Sequence, residues 1–182
     1  MRGPIFLTGF MGTGKTKIGR LLALRLGWAF VDTDHLIEAR VSMSVPQIFA
    51  SLGEARFRQL EHECLAGVAG RREAVIALGG GAITAERNWE LIRRAGGVVV
   101  CLQAPLDIIL ERVSRKEDRP LLAGLSPAQK REKIERLLAE RAPFYQRADI
   151  QFQTDDALDP ETTAARLLER LEQRDADHRS GP

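Results

Sequence analysis

The sequence predicts one α/β domain built on a parallel, doubly wound sheet. Short apolar runs bounded by turn residues recur at 5–8, 28–31, 74–78, 98–102 and 150–153. Most are continuous in apolar residues, as strands covered by helices on both faces are. Segments of helical period lie between these runs, and strand alternating with helix implies a parallel sheet. With 182 residues the chain suits a single core, because domains commonly hold about 100–200 residues. The expected domain spans 1–173.

The elements follow in order. After the first run comes "GFMGTGKT" (9–16), and then Ile18, Leu21, Leu22 and Leu26 repeat at helical spacing over 15–26. The second run leads into "VDTDH" and the helical stretch "HLIEARV". Phe57, Leu60, Cys64, Leu65 and Val68 mark one face of the next helix, before the third run ends in "ALGGGA". The fourth run precedes a charged stretch, 113–125, which contains Pro120 and Gly124 and reads as a mobile excursion. Ser126-Pro127 is a helix start, and Ile134, Leu137 and Leu138 form the apolar face behind it. Residues 174–182, "RDADHRSGP", are polar and aperiodic, which predicts a disordered tail.

Composition narrows the function. A net charge of +2 is too small to argue for nucleic acid but suits anionic ligands. No apolar run approaches the ~18 residues of a membrane span. The Gly9 loop lies so close to Met1 that no cleavable targeting segment is expected. Cys64 and Cys101 have no partner at metal-ligand spacing, and they read as buried thiols of a cytoplasmic protein. No long exposed apolar stripe demands a partner, so a monomer is expected.

The segment from Gly9 to Thr16 matches G-x-x-x-x-G-K-[ST] with a strand before it and a helix after it. Gly12, Thr13 and Gly14 belong to a backbone that folds round phosphates with its N–H groups inward, and the helix N-terminus adds its dipole. Lys15 is placed to bridge the β- and γ-phosphates of a nucleotide, and the Thr16 hydroxyl to ligate Mg²⁺.

Asp32 and Asp34 stand two apart at the end of the second run. On a continuing strand they share one face, ~7 Å apart. Asp32 then suits the Mg²⁺ shell, through water, and Asp34 suits the acceptance of a hydroxyl proton. The same residues also suit an N-cap of the following helix.

Arg58 lies beside the apolar stripe of its helix, with Glu61 three residues on. Arg141 follows Ile134, Leu137 and Leu138 at helical spacing. An inward arginine needs an anion, either an internal carboxylate or that of a small substrate, which the guanidinium fork matches. Gly79, Gly80 and Gly81 allow close approach to bare backbone. Arg119 reads by position as a solvated residue, though it could also swing over the phosphates.

Taken together, "GFMGTGKT", "FVDTD", "GEARFR" with Glu61, "LGGGA", "RPLL" and "ERAPFYQRAD" resemble the shikimate kinase family from about residue 5 to 149. The resemblance implies a P-loop NTPase fold of the nucleoside monophosphate kinase type with five parallel strands. It also implies transfer of the γ-phosphoryl of ATP to the 3-hydroxyl of shikimate, with Mg²⁺. Asp34, Arg58, Gly79, Gly80, Gly81 and Arg141 are implied to bind shikimate, within a region of about 33–61 and the glycine run. Thr16 and Asp32 are implied for the metal, Lys15 and Arg119 for the phosphates, Arg112 for the adenine side, and 113–125 for a lid. Asp34, Lys15 and Arg119 form the implied catalytic set. Arg147 stands where the family commonly has an acidic residue, and Thr13 where it often has serine, which leaves salt bridging near the last strand open.

Other readings are a gluconate-type kinase and a non-catalytic ATP-binding module. A GTPase lacks support, because Asn88, the one asparagine, is followed by Trp89 rather than by Lys-x-Asp.

Overall fold

The computed structural model describes residues 3–115, 120–154 and 158–180. Five parallel strands form one sheet: β1 (Ile5–Thr8), β2 (Ala29–Asp32), β3 (Ala74–Ala77), β4 (Val98–Gln103) and β5 (Ile150–Gln153), in the order β2-β3-β1-β4-β5. β1 is central and wholly buried, while the edge strands β2 and β5 and the end of β4 at Gln103 carry exposed positions. The helices are α1 (Lys15–Leu26), α2 (Thr33–Val41), α3 (Val45–Val68), α4 (Glu86–Ala95), α5 (Leu106–Ser114), α6 (Pro127–Tyr145) and α7 (Pro160–Ser180).

Strand alternation divides the core between the two faces. Ile5 and Leu7 of β1 pack with Ile18 and Leu22 of α1 and Leu167 and Leu171 of α7. Phe6 points the other way, into a cluster with Leu65 of α3, Trp89 of α4, Ile109 of α5 and Ile134 of α6. A third cluster, around Ile37, Ile48 and Phe57, joins α2 to α3 beyond the sheet edge.

Helix starts follow local chemistry. At Ser126 the hydroxyl accepts from the Gln129 amide while the Gln129 side chain accepts from the Ser126 N–H, with Pro127 first in the helix. Ser44 and Gln47 repeat that reciprocal cap at α3. Inside α3 the chain kinks at Gly53, whose φ of 78° and ψ of 167° lie in a region essentially reserved for glycine.

Of the stretch 174–182 expected as a tail, residues 174–180 are described as the last turns of α7, and 181–182 lie outside the described residues. The apolar stripe that predicts a helix ends at Leu171, yet Arg174 pairs with Asp149 at 2.9 Å and carries the helix on with a solvated end. In the excursion 113–125, Val113 and Ser114 close α5, and Pro120–Leu122 form a 3₁₀ turn whose Leu122 is buried in the core. Residues 116–119, and Arg119 with them, lie outside the described residues. No helix among the described residues is long and apolar enough to cross a membrane.

Gly53→Ala should destabilise the protein by about 1–3 kcal/mol, because alanine is strained at the kink while the space around it is open. Urea unfolding measures this. A variant as stable as the parent would mean that α3 can run straight through position 53.

Candidate active site

The candidate site residues among those described converge near the carboxyl ends of β1, β2 and β3, where an open parallel sheet presents its crevice. Gly9, Gly12 and Gly14 all adopt positive φ, which turns the phosphate loop tightly from β1 into α1. Lys15 Nζ lies along the loop, donating to the Gly9 and Phe10 carbonyls at 2.8 and 2.9 Å. The buried Thr13 hydroxyl donates to the Phe10 carbonyl at 2.8 Å, and Arg112 of α5 closes the far side with 2.7 Å to the Gly12 carbonyl.

The carboxylates do not sit two apart on one strand face. β2 ends at Asp32 and α2 begins at Thr33, so Asp34 lies in the first helical turn. The cause is capping: Asp32 Oδ1 accepts from the amides of Asp34 and His35 at 3.0 and 3.4 Å, supplying partners to N–H groups that a helix start leaves over. Asp32 Oδ2 accepts from the Thr16 hydroxyl at 2.7 Å. Capping and the role beside Thr16 therefore use different oxygens of one residue. A hydroxyl and a carboxylate side by side are hard donors, and they fit a Mg²⁺ ion that keeps most of its waters and takes further oxygens from phosphate.

Asp34 faces the glycine run. A Cβ on Gly79 would lie 2.5 Å from Glu61 Oε1 and 2.8 Å from Asp34 Oδ1, and one on Gly81 would lie 2.8 Å from both terminal nitrogens of Arg58. The bare backbone is thus approached first by the protein's own charged groups. Thr33 ties the turn down: its hydroxyl accepts from the Gly79 N–H at 3.0 Å and donates to the Ala77 carbonyl at 3.3 Å.

Arg58 Nη1 donates to both oxygens of Glu61 at 3.1 and 3.2 Å, while Nε and Nη2 donate to the exposed Glu54. Arg141, which is 7% exposed, donates to the Gly80 carbonyl at 3.3 Å and stacks over Phe10. Tyr145, one helical turn further along α6, donates its hydroxyl to the same carbonyl at 2.7 Å.

Two cavities meet here. A cleft of about 730 Å³ runs from the loop past Asp32 and Arg112 to Thr154 and residues 158–160. A smaller one, about 80 Å³, lies between Arg58, Glu61, Arg141 and the three glycines, walled by Phe49, Phe57 and Leu121. Met11, Asp34 and Gly80 line both. Sequence reasoning passed over Thr33, Tyr145 and these apolar walls. Tyr145 was within reach of it, being four residues from Arg141 on one helix face. Of the walls, Phe49 and Phe57 stand on either side of the Gly53 kink in α3, and Leu121 comes from the turn at Pro120–Leu122, so no single spacing joins them.

Burial dominates the electrostatics. It pushes the Glu61 carboxyl up to about 7, against the downward pull of Arg58, with nearby Asp34 pushing further up. Burial likewise raises the Tyr145 phenol to about 12 and the Cys101 thiol to about 11. Tyr145 is therefore a stable donor and Cys101 an inert thiol. Arg147 closes the matter of salt bridging near the last strand: it grips Glu86 with both terminal nitrogens, at 2.7 and 3.0 Å.

Comparison with known proteins gives a consistent result. The family model described as shikimate kinase matches residues 11–172. The shikimate kinase of Chlorobium chlorochromatii is 49% identical over 156 residues, covering 83% of this chain and 82% of that protein. That of Moorella thermoacetica is 48% identical over 155 residues, covering 85% and 87%. Among solved structures, the shikimate kinase of Acinetobacter baumannii in complex with shikimate superposes with a TM-score of 0.88 at 36% identity, covering 94% of each chain.

The raised Glu61 carboxyl makes a prediction about stability. The folded state takes up this proton near pH 7 and the unfolded chain only near 4.5. Across that window the folded state binds the extra proton, so this group's contribution to stability grows as pH falls. The unfolding free energy of the parent minus that of Glu61→Gln should accordingly rise from pH 7 to 4.5 in paired denaturation curves. A flat difference, or one of opposite sign, would place the carboxyl at its ordinary value.

Proposed function

The chain belongs to the shikimate kinase family, an ATP-dependent family, and on that premise we propose how its residues move the γ-phosphoryl of ATP to the 3-hydroxyl of shikimate. The observation that carries the reading is the meeting of a large cleft and a small charged cavity at Asp34 and Gly80. A donor and an acceptor lying in those two cavities face one another across these residues.

ATP occupies the large cleft. The loop amides and the α1 N-terminus take the β-phosphate region, Lys15 swings from the loop carbonyls to the transferring phosphate, and Arg112 flanks the adenine. Thr16 and Asp32 hold Mg²⁺, which neutralises phosphate charge when bound. Arg119, outside the described residues, belongs over the phosphates as part of a lid at 113–125.

Shikimate occupies the small cavity, its carboxylate between Arg58 and Arg141. Of the two carboxylates on Arg58, Glu54 is solvent-exposed and Glu61 is buried. The substrate carboxylate replaces Glu54, whose release to water is easy, while Glu61 keeps the guanidinium aimed. Gly79, Gly80 and Gly81 let the ring come close to backbone, and Phe49, Phe57 and Leu121 keep water from its apolar face. Asp34 orients the reacting hydroxyl and accepts its proton as the phosphorus–oxygen bond forms. The transition state is loose, so alignment contributes more than early proton removal. The products are shikimate 3-phosphate and ADP. The same reading takes the protein to be a cytoplasmic monomer.

ADP release from MgATP, with shikimate, gluconate and AMP offered separately against a blank without acceptor, tests this. Release should occur only with shikimate, at kcat above ~1 s⁻¹; release only with another acceptor would move the specificity to that compound. Asp34→Asn should lower kcat by ~10²–10⁴ while ATP still binds, and a variant with full turnover would remove Asp34 from the proton transfer.

A further inference from the structure

Behind the acceptor cavity lies a charge cluster that has no part in the chemistry above. Arg147, just past the end of α6, grips both oxygens of Glu86, the first residue of α4. Its guanidinium carbon lies 4.4 Å from the centre of the Trp89 ring, and Trp89 is 4% exposed. Arg93 adds a third contact, 2.7 Å to Glu86 Oε1. The hydrogen bonds from Arg147 and Arg93 hold the Glu86 carboxyl down at about 2, so the cluster is charged throughout the neutral range.

The chain path gives this cluster its meaning. Five residues before Glu86 stands Gly81, the end of the glycine run, and six before Arg147 stands Arg141. The cluster therefore joins the two segments that bound the acceptor cavity on this side. Pro143 lies between Arg141 and Arg147 inside α6. It has no N–H to give the carbonyl four residues back, so the last turn lacks one of its ties to the rest of the helix. Backbone bonds remain, from the Gln146 N–H to the Ala142 carbonyl at 3.0 Å and from the Arg147 N–H to the Phe144 carbonyl at 3.2 Å, and tertiary contacts add to them: the Tyr145 hydroxyl on the Gly80 carbonyl, and Arg147 on Glu86 and Trp89.

We propose that Glu86, Arg147 and Trp89 form a positioning clamp that fixes the end of α6 against the glycine turn and so keeps Arg141 aimed for the substrate carboxylate. The proposal rests on the carboxylate role given to Arg141 above. Arginine suits the position because one planar group makes two parallel hydrogen bonds and stacks on an indole at once, which an ammonium does not do. Neither Glu86 nor Arg147 touches substrate; both act through Arg141.

The test is steady-state kinetics on the full chain with shikimate and ATP varied separately, for Arg147→Ala, Arg147→Lys, Glu86→Gln, Arg141→Ala and the double variant Arg141→Ala/Arg147→Ala. Arg147→Ala should raise the shikimate KM about tenfold and Glu86→Gln about threefold, the size of a stacked ion pair and of its ionic part. The KM for ATP and kcat at saturating shikimate should hold, and Arg147→Lys should recover only part of the loss. In the double variant the shikimate KM should equal that of Arg141→Ala alone, because the clamp then has nothing to aim. The proposal falls if both KM values rise together in Arg147→Ala, or if the two single effects multiply in the double variant. If Arg141→Ala raises the shikimate KM and Arg147→Ala does not, the clamp alone is refuted. If Arg141→Ala itself leaves that KM unchanged, the carboxylate role of Arg141 is wrong, and the clamp falls with it.

Discussion

The small charged cavity depends on three consecutive residues without side chains. Glu61, Asp34 and Arg58 close over Gly79 and Gly81 at distances that a Cβ would occupy, 2.5 to 2.8 Å from the nearest charged atoms. Because nothing stands there, two carboxylates and a guanidinium crowd onto one turn of backbone. This crowding keeps Glu61 buried and its carboxyl raised, and it leaves Arg58 with one buried and one exposed partner. A side chain at 79 would push Glu61 and Asp34 apart together, so the pocket is a packing constraint before it is a set of functional groups.

Strand order brings that turn beside the Gly9 loop. β2, β3 and β1 are neighbours, and their register pairs Asp32 with Ala77 and Ala77 with Leu7. The last residues of β2 and β3 therefore lie in one row with Leu7, the last but one of β1, and the Asp32 cap, the glycine run and the Gly9 loop continue from there. Each of these ends has a second duty in the fold. Asp32 starts α2 with one oxygen and meets Thr16 with the other. Thr33 binds the Gly79 amide, and Arg141 and Tyr145 share the Gly80 carbonyl. The site is held rigid by contacts that also terminate helices and strands, which is how a small domain positions several side chains closely.

The far wall is built differently. α6 is interrupted by Pro143 near its end and is anchored there by contacts to α4 and to the glycine turn. Arg141 is thus followed along the chain by two kinds of contact, the buried Tyr145 hydroxyl on backbone and the exposed Arg147–Glu86 ion pair.

The sequence by itself determined the strands to within a residue or so, the parallel sheet, the phosphate loop and the family. Each of these rests on local signals: continuous apolar runs, helical period, and glycines followed by Lys15 and Thr16. Arg58 with Glu61 was also legible, since three residues on a helix make neighbours. Only the tertiary structure decided that Asp32 ends its strand and caps α2, because strand and cap are both compatible with Asp-Thr-Asp until the sheet register stops β2 at Ala77's partner. It alone carried α7 to Ser180, through a partner for Arg174 that lies 25 residues away at Asp149. It alone gave Arg147 its carboxylate, 61 residues away at Glu86, and it alone assembled the apolar walls of the acceptor cavity. The physical reason is the same in each case: these contacts join residues distant along the chain, and no local pattern of spacing or propensity encodes which distant surface a side chain will meet.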